Sequence, residues 1–332
     1  MRDVSWSVCR GERRSSRVSS MVAVLMLLLA ATIGGASSAS PIAQGDTASP
    51  VVTASQSSAL QNGKTGETNF EDRMAAIEHR TGARIGLAAL DTGSAKRLDY
   101  RSKERFPMCS TFKFLAAAAV LKRVDDGKEK LDRFVSYGPK DILEYAPVTK
   151  AHLNDGGMTL GALCAAAIEQ SDNTAGNLLL DAIGGPAGLT NFLRATGDKT
   201  TRLDRNEPEL NSVGPGDERD TTSAEAMCAN MQRLVLGNAL SESSLHQLED
   251  WLQHNETGAQ LIRAGVPKTW IVGDKTGRCG NGETNDVEII RQARLPAVVI
   301  AIYSIGSTSA SPDDRSATVA ETARAAVEFL SK

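Results

Sequence analysis

The sequence predicts an α+β protein: an antiparallel sheet of about five strands, flanked by the terminal helices, with an all-α lobe inserted between its second and third strands. Strand-like stretches fall only toward the two ends of the body, as "RIGLAALD" and "KRLDY" early and "TWIVGD", "NDVEIIRQ" and "PAVVIAIY" late. Between them, from Ser110 to His254, apolar residues keep a helical period broken by loops rich in Gly, Pro and Asp. One helical pattern opens the body and another closes it. Helices apolar along one stripe need a surface to cover, and the sheet supplies it.

In chain order, residues 1–39 read as a signal peptide. Arg10, Arg13, Arg14 and Arg17 form a basic region, "MVAVLMLLLAATIGG" an apolar one, and "ASSAS" a small-residue cleavage site near Ala39. The apolar run is shorter than the ~20 residues that span a bilayer, so export to the periplasm or outside is expected, without stable membrane association. The Arg13-Arg14 pair leaves the export route open. Residues 40–67 have no apolar period and read as a flexible leader.

Thr68 and Glu71 form a capping box, and Phe70, Met74 and Ile77 carry the first helix to Thr81. The two early strands flank the turn "TGSA". The last helix starts at Ser311-Pro312 with Asp313 and Asp314 in its first turn, and Val319, Ala323, Val327 and Leu330 share its sheet-facing side. The expected division is an α/β lobe of residues 68–107 plus 255–332 and a helical lobe of 108–254, with the active site at their seam.

Net charge is -3 across 332 residues, with no clustered Lys/Arg tract in the body, so no nucleic-acid partner is expected. Small-molecule chemistry is the better expectation, carried out by a monomer. The chain has four histidines and no His/Cys cluster at ligand spacing, so neither metal nor other cofactor is expected.

The chemistry starts at "MCSTFKF", residues 108–114, where Lys113 heads an apolar run of Phe114, Leu115, four alanines, Val120 and Leu121. A run apolar all round is a buried helix, and an ammonium there needs a task. Ser110 lies one turn before Lys113, so both side chains leave one face. A lysine in a dry setting beside a hydroxyl gives up its proton more readily and can act as a base. Taken alone, the pair also fits a capping serine with an incidental lysine.

Ser171-Asp172-Asn173 follows the helical stretch "LGALCAAAIEQ", and alone it also fits a local helix break. Lys275-Thr276-Gly277 closes the strand "TWIVGD"; a second Lys-Thr-Gly at 64–66 lies in the polar leader with no strand before it. The loop "RLDRNEPELN" carries Glu207 before Pro208, where a cis peptide can aim the carboxylate inward, and Arg205 with Asp220 can clasp the loop.

Together, in this order and setting, these four pieces resemble the class A serine β-lactamases, from about Asn69 to Lys332. The resemblance implies that Ser110 attacks the lactam carbonyl, with the oxyanion held by the backbone N–H groups of Ser110 and Arg278. Ser171 relays a proton to the leaving nitrogen, Asn173 binds the acylamino side chain, and Lys275, Thr276 and Gly277 face the substrate carboxylate. Glu207 activates the deacylating water, which Asn211 helps to hold; the acylation base is Lys113 or Glu207. Tyr145 lines the entrance. Penicillins and cephalosporins are the implied substrates, with carbapenems as an extension. The alternatives are a D-Ala-D-Ala carboxypeptidase or transpeptidase, which lacks the loop carboxylate, and a lactam sensor that is acylated once.

Two departures stand out. The family's usual carboxylate-binding arginine would fall at Leu261 or Thr284, and neither residue can serve. Arg278, where a small residue is usual, can either take over that role through its planar fork or point to solvent. The resemblance also sets Cys109 and Cys279 beside the same oxyanion hole, within reach of a disulfide that export permits. Cys164 and Cys228 are expected as buried free thiols, and Cys9 is lost with the signal.

Overall fold

The computed structural model describes residues 69–332 other than Arg294. The expected signal peptide and leader, the capping residue Thr68, Cys9 and the Lys-Thr-Gly at 64–66 lie outside the described residues. The first helix, α1 (Phe70–Thr81), is capped by Asn69, whose side chain accepts the Asp72 N–H at 2.7 Å. The cap therefore falls one residue after the expected Thr68, because Asn caps as well as Thr does.

After α1 the chain forms β1 (Arg84–Asp91) and β2 (Arg97–Tyr100), then the short β3 (Phe106–Pro107) and α2 (Phe112–Asp125). The middle of the chain holds β4 (Phe134–Ser136), β5 (Gly157–Thr159), α3 (Leu160–Glu169), α4 (Asn173–Ile183) and α5 (Gly185–Ala195). It continues through β6 (Thr221–Thr222), α6 (Ala224–Val235), α7 (Glu242–Gln253) and the short α8 (Ile262–Gly265). The last elements are β7 (Ile271–Arg278), β8 (Thr284–Gln292), β9 (Leu295–Ile305) and α9 (Pro312–Leu330).

Five strands make one antiparallel sheet in the order β2-β1-β9-β8-β7. The predicted architecture stands: helices α1 and α9 flank the sheet, and the long insertion joins its second and third strands. Two details differ. The insertion is mainly helical but also forms the ladders β3-β6 and β4-β5, whose two- and three-residue strands are too short to show a period of two. And β7 runs through Lys275, Thr276 and Gly277 to Arg278, paired residue by residue with β8, instead of ending before them.

The alternation of a strand splits the sheet's side chains between two cores. On one face Ala88, Leu90, Val287, Ile289, Val299 and Ala301 join the apolar residues of α2, α3, α4, α6 and α7. On the other, Ile85, Leu87, Ile290, Ile300 and Ile302 pack with Phe70, Met74 and Ile77 of α1 and with Val319, Ala323 and Leu330 of α9. The α9 cap is the expected one at Ser311, with Asp314 completing a capping box. The apolar run of α2 is buried from Phe112 to Leu121 without interruption, Lys113 included.

Candidate active site

Ser110 sits in a 3-10 turn, Cys109–Thr111, that leads into α2, so Lys113 follows it on the same side one turn later. Lys113 is fully buried. Gly176 of α4 leaves it room: a Cβ there would stand 2.9 Å from Lys113 Cε, so a larger residue would make the lysine side chain shift. Around Nζ gather four oxygens, one from its own turn and three from two other segments of chain. They are Ser110 Oγ at 2.9 Å, Ser171 O at 2.8 Å, Asn173 Oδ1 at 2.5 Å and Glu207 Oε1 at 3.2 Å. Burial pushes the amine below the ordinary lysine range, and Glu207, followed by Asp172, opposes that shift.

Ser171 and Asn173 are delivered by the turn before α4. Asp172 is buried and caps α4 through the Ala175 N–H at 2.8 Å, while its other oxygen accepts from the Val148 and Thr149 N–H groups at 3.0 and 2.9 Å. The Asn173 N–H donates to Tyr145 O at 3.0 Å, so one turn fixes both the hydroxyl and the cavity rim. Ser171 has φ of 56° and Cys109 φ of 48°, left-handed values that cost a non-glycine residue about 1–3 kcal/mol and occur beside working side chains.

Glu207 enters from the loop between α5 and β6, and its bond to Pro208 is cis. Its side chain has no solvent exposure. Oε1 lies 3.4 Å from Ser110 Oγ, and Oε2 accepts from Asn211 Nδ2 at 2.5 Å. The Arg205–Asp220 clasp is present at 2.5 Å with Asp220 fully buried, and Asp220 also accepts from the Asp204 and Arg205 N–H groups. That burial lifts it out of the class of weak surface pairs.

From the sheet, Lys275 Nζ donates to Ser171 Oγ at 3.0 Å and to Thr276 O at 2.9 Å. Burial, and then the neighbouring Lys113, push its amine down to about 7. Gly277 brings β7 against the nucleophile's turn: a Cβ there would meet Met108 O at 2.7 Å. The Cys109–Cys279 disulfide ties the same two segments, with Cα atoms 5.7 Å apart. Cys164 and Cys228 are free and buried.

Ser110, Tyr145, Ser171, Asn173, Asn211, Thr257, Thr276 and Arg278 line one cavity of about 390 Å³. Every side chain named as a candidate from the sequence therefore lines this space or is bonded to a residue that does, apart from Gly277 and the cystine, which shape its wall. Arg278 is exposed at the cavity and is anchored to α9. Its Nη2 donates to Ser316 Oγ on α9 at 2.9 Å, and burial lowers its proton affinity, with Arg315 adding to the effect.

This arrangement defines a serine acyl-transfer site with a carboxylate beside the nucleophile, and the comparisons agree. The β-lactamase enzyme family matches residues 69–330, and the chain belongs to that family, in its class A serine branch. β-Lactamase FAR-1 of Nocardia farcinica (strain IFM 10152) is 48% identical over 256 residues, 77% of this chain and 81% of the relative. A carbapenem-hydrolyzing β-lactamase KPC of Klebsiella oxytoca is 46% identical over 259 residues, 77% of this chain and 87% of its own. Among solved structures, an ancestral (GNCA) class A β-lactamase superposes with a TM-score of 0.76 at 53% identity, covering 79% of this chain and all of its own, 100%.

Two residues of the site escaped the sequence reading. Thr257 shares a hydrogen bond of 2.5 Å with Thr276, and a lone loop threonine gives no signal. Asn177 pairs with both backbone groups of Glu207, accepting its N–H and donating to its C=O, each at 2.9 Å. Its position four residues after Asn173 placed it on the same helical face, which was the available clue. Replacing Asn177 by Ala leaves those two groups without partners and is expected to cost about 1–3 kcal/mol of stability. Urea unfolding checks this: the midpoint should fall at constant slope, and an unchanged midpoint would contradict the role assigned to Asn177.

Proposed function

We propose that this enzyme hydrolyses β-lactam antibiotics through an acyl-enzyme on Ser110 and that Glu207 supplies the base for its release. One contact carries the reading. Ser110 Oγ lies 2.9 Å from Lys113 Nζ and 3.4 Å from Glu207 Oε1, so the nucleophile stands beside both a lysine that burial drives toward neutrality and a carboxylate. Two bases are thus within reach of the Ser110 proton.

In this reading the Ser110 oxygen adds to the lactam carbonyl, and the backbone N–H groups of Ser110 and Arg278 stabilise the oxyanion. Collapse breaks the C–N bond as Ser171, supported by Lys275, passes a proton to the nitrogen. Asn173 holds the acylamino group, and Lys275 and Thr276 hold the substrate carboxylate. Water then attacks the ester from the side of Glu207 and Asn211, with Glu207 taking its proton. The cavity would be the seam between the lobes 68–107 plus 255–332 and 108–254.

The loop carboxylate favours turnover over a carboxypeptidase or a sensor acylated once, because either alternative leaves Glu207 without work. Penicillins and cephalosporins are the substrates proposed first. Carbapenems join them on the strength of the relative named for hydrolysing them, 46% identical to this chain. Action as an exported monomer completes the proposal; no helix among the described residues is long and apolar enough to cross a membrane.

Arg278 lines the cavity while Ser316 holds one edge of its guanidinium, which leaves the opposite edge for an anion. Binding of the substrate carboxylate by that edge supports replacing the arginine missing at Leu261 and Thr284. Arg278→Ala is then expected to raise KM for carboxylate-bearing lactams, with kcat changed less; an unchanged KM would remove Arg278 from the binding set. Glu207→Gln is expected to lower steady turnover by about 10²-fold or more while leaving Ser110 acylated. Mass spectrometry should show the trapped acyl-enzyme. Wild-type product release by Glu207→Gln would overturn the reading.

A further inference from the structure

Behind β7, on the face of the sheet turned toward α8 and α9, three carboxyl groups are enclosed together. Asp274 on β7 stands opposite Glu288 on β8, and Asp286 lies two residues from Glu288, hence on the same face. All three are fully buried. Their partners differ. Asp274 accepts from Asn255 and pairs with Arg263. Asp286 Oδ2 accepts the Ile262 N–H at 3.2 Å, while its Oδ1 has no partner among the described residues. Glu288 receives nothing: neither of its oxygens has a hydrogen-bond partner among the described residues.

The charged groups acting on Glu288 are Asp286, Asp274 and Arg263; Arg263 pairs with Asp274 through Nη2, and its unpartnered Nε makes no hydrogen bond to Glu288. Lys275 adjoins Asp274 but leaves the opposite face of β7, toward Ser171; it acts on Asp274 and Asp286. β9 sets Ile300 opposite Glu288, and the same face of the sheet carries the apolar core that includes Ile290, Ile302, Ile262 of α8 and Val319 and Ala323 of α9. An ionised carboxylate with no donor, walled by apolar groups and flanked by two carboxylates, is the least favourable state open to this side chain.

We propose that Glu288 is held in the folded enzyme as a neutral carboxylic acid, the protonated member of a buried acid stack behind β7, and that its ionisation on the alkaline side makes the fold pH-sensitive. The stack reaches the cavity. Asn255 accepts from the Thr257 N–H at 3.0 Å, and the Thr257 hydroxyl meets that of Thr276. The inference does not depend on the reaction proposed for the cavity.

Burial, with Asp286 and Asp274 adding to it, raises the proton affinity of Glu288 well above the usual carboxylate range. Below the unfolded-chain value both states carry the proton. Between the unfolded and the folded values only the folded state does, so stability falls as pH rises, and above the folded value the loss is complete. Glu288→Gln keeps the shape of the neutral acid and has no proton to lose.

The test is thermal unfolding of wild type and Glu288→Gln from about pH 5 to pH 9. The melting curves should nearly coincide at the acid end. The wild type should then fall behind the variant by about 2–4 °C for each pH unit until Glu288 is ionised. Parallel Tm profiles, or a variant less stable than wild type at pH 8, would overturn the proposal. Should the variant fail to fold, infrared spectra of the wild type decide: a protonated-carboxyl carbonyl band that shifts in D₂O should persist at pH 7, and its absence overturns the proposal.

Discussion

A lysine amine enclosed in a helix of alanines is stable only where other parts of the chain bring oxygens to it. That condition at Lys113 organises the site. Lys113 is fully buried, so the amine's hydrogen-bonding needs fall on Ser110, Ser171, Asn173 and Glu207, which come from the turn before α2, the turn before α4 and the loop after α5. Two of these segments are fixed in turn by anchors of their own: buried Asp172 for the α4 turn, and buried Asp220 with half-buried Asn177 for the glutamate loop. Gly176 is the concession α4 makes to the lysine, accepting a residue poor for helices so that the two helices can close.

The sheet contributes its edge strand. β7 pairs on one side only, with β8, and its other side meets the Cys109–Thr111 turn. The alternation of the strand then sends Lys275 toward Ser171 and Thr276 toward Thr257, so two neighbouring residues serve different parts of the cavity. The disulfide and Gly277 hold the turn and the strand at one separation. Two buried lysines consequently stand in the same region, and Lys113 lowers the tendency of Lys275 to carry charge.

Most of the frame was legible before any coordinates. Short strand-like stretches at the two ends of the body located all five strands of the main sheet, and the unbroken apolar run after Lys113 marked α2 as buried. What escaped were features with too few residues to form a pattern. The β3-β6 and β4-β5 ladders depend on partners distant in sequence, and β7 extends through Lys-Thr-Gly because β8 offers a matched partner, which no local propensity encodes. In the site, Ser110, Lys113, Ser171, Glu207 and Lys275 could be named because they fall in motifs. Asn177 acts through a pair of hydrogen bonds to the Glu207 backbone from a helix face, Thr257 acts from a loop through its hydroxyl, and Ser316 matters only because Arg278 reaches across to α9. Glu288 was visible as a charge in a strand, but its isolation from every donor is a tertiary fact.

The account rests on a buried amine whose proton affinity is lowered at the meeting point of three segments. Site-resolved NMR of lysines labelled with ¹³C at Cε, assigned with a Lys113→Arg control, reads that property directly. Lys113 should titrate clearly below the ordinary lysine range of about 10.4. A midpoint at or above that range would mean that the ammonium is held by Glu207 with burial of no consequence, and the central claim would be wrong.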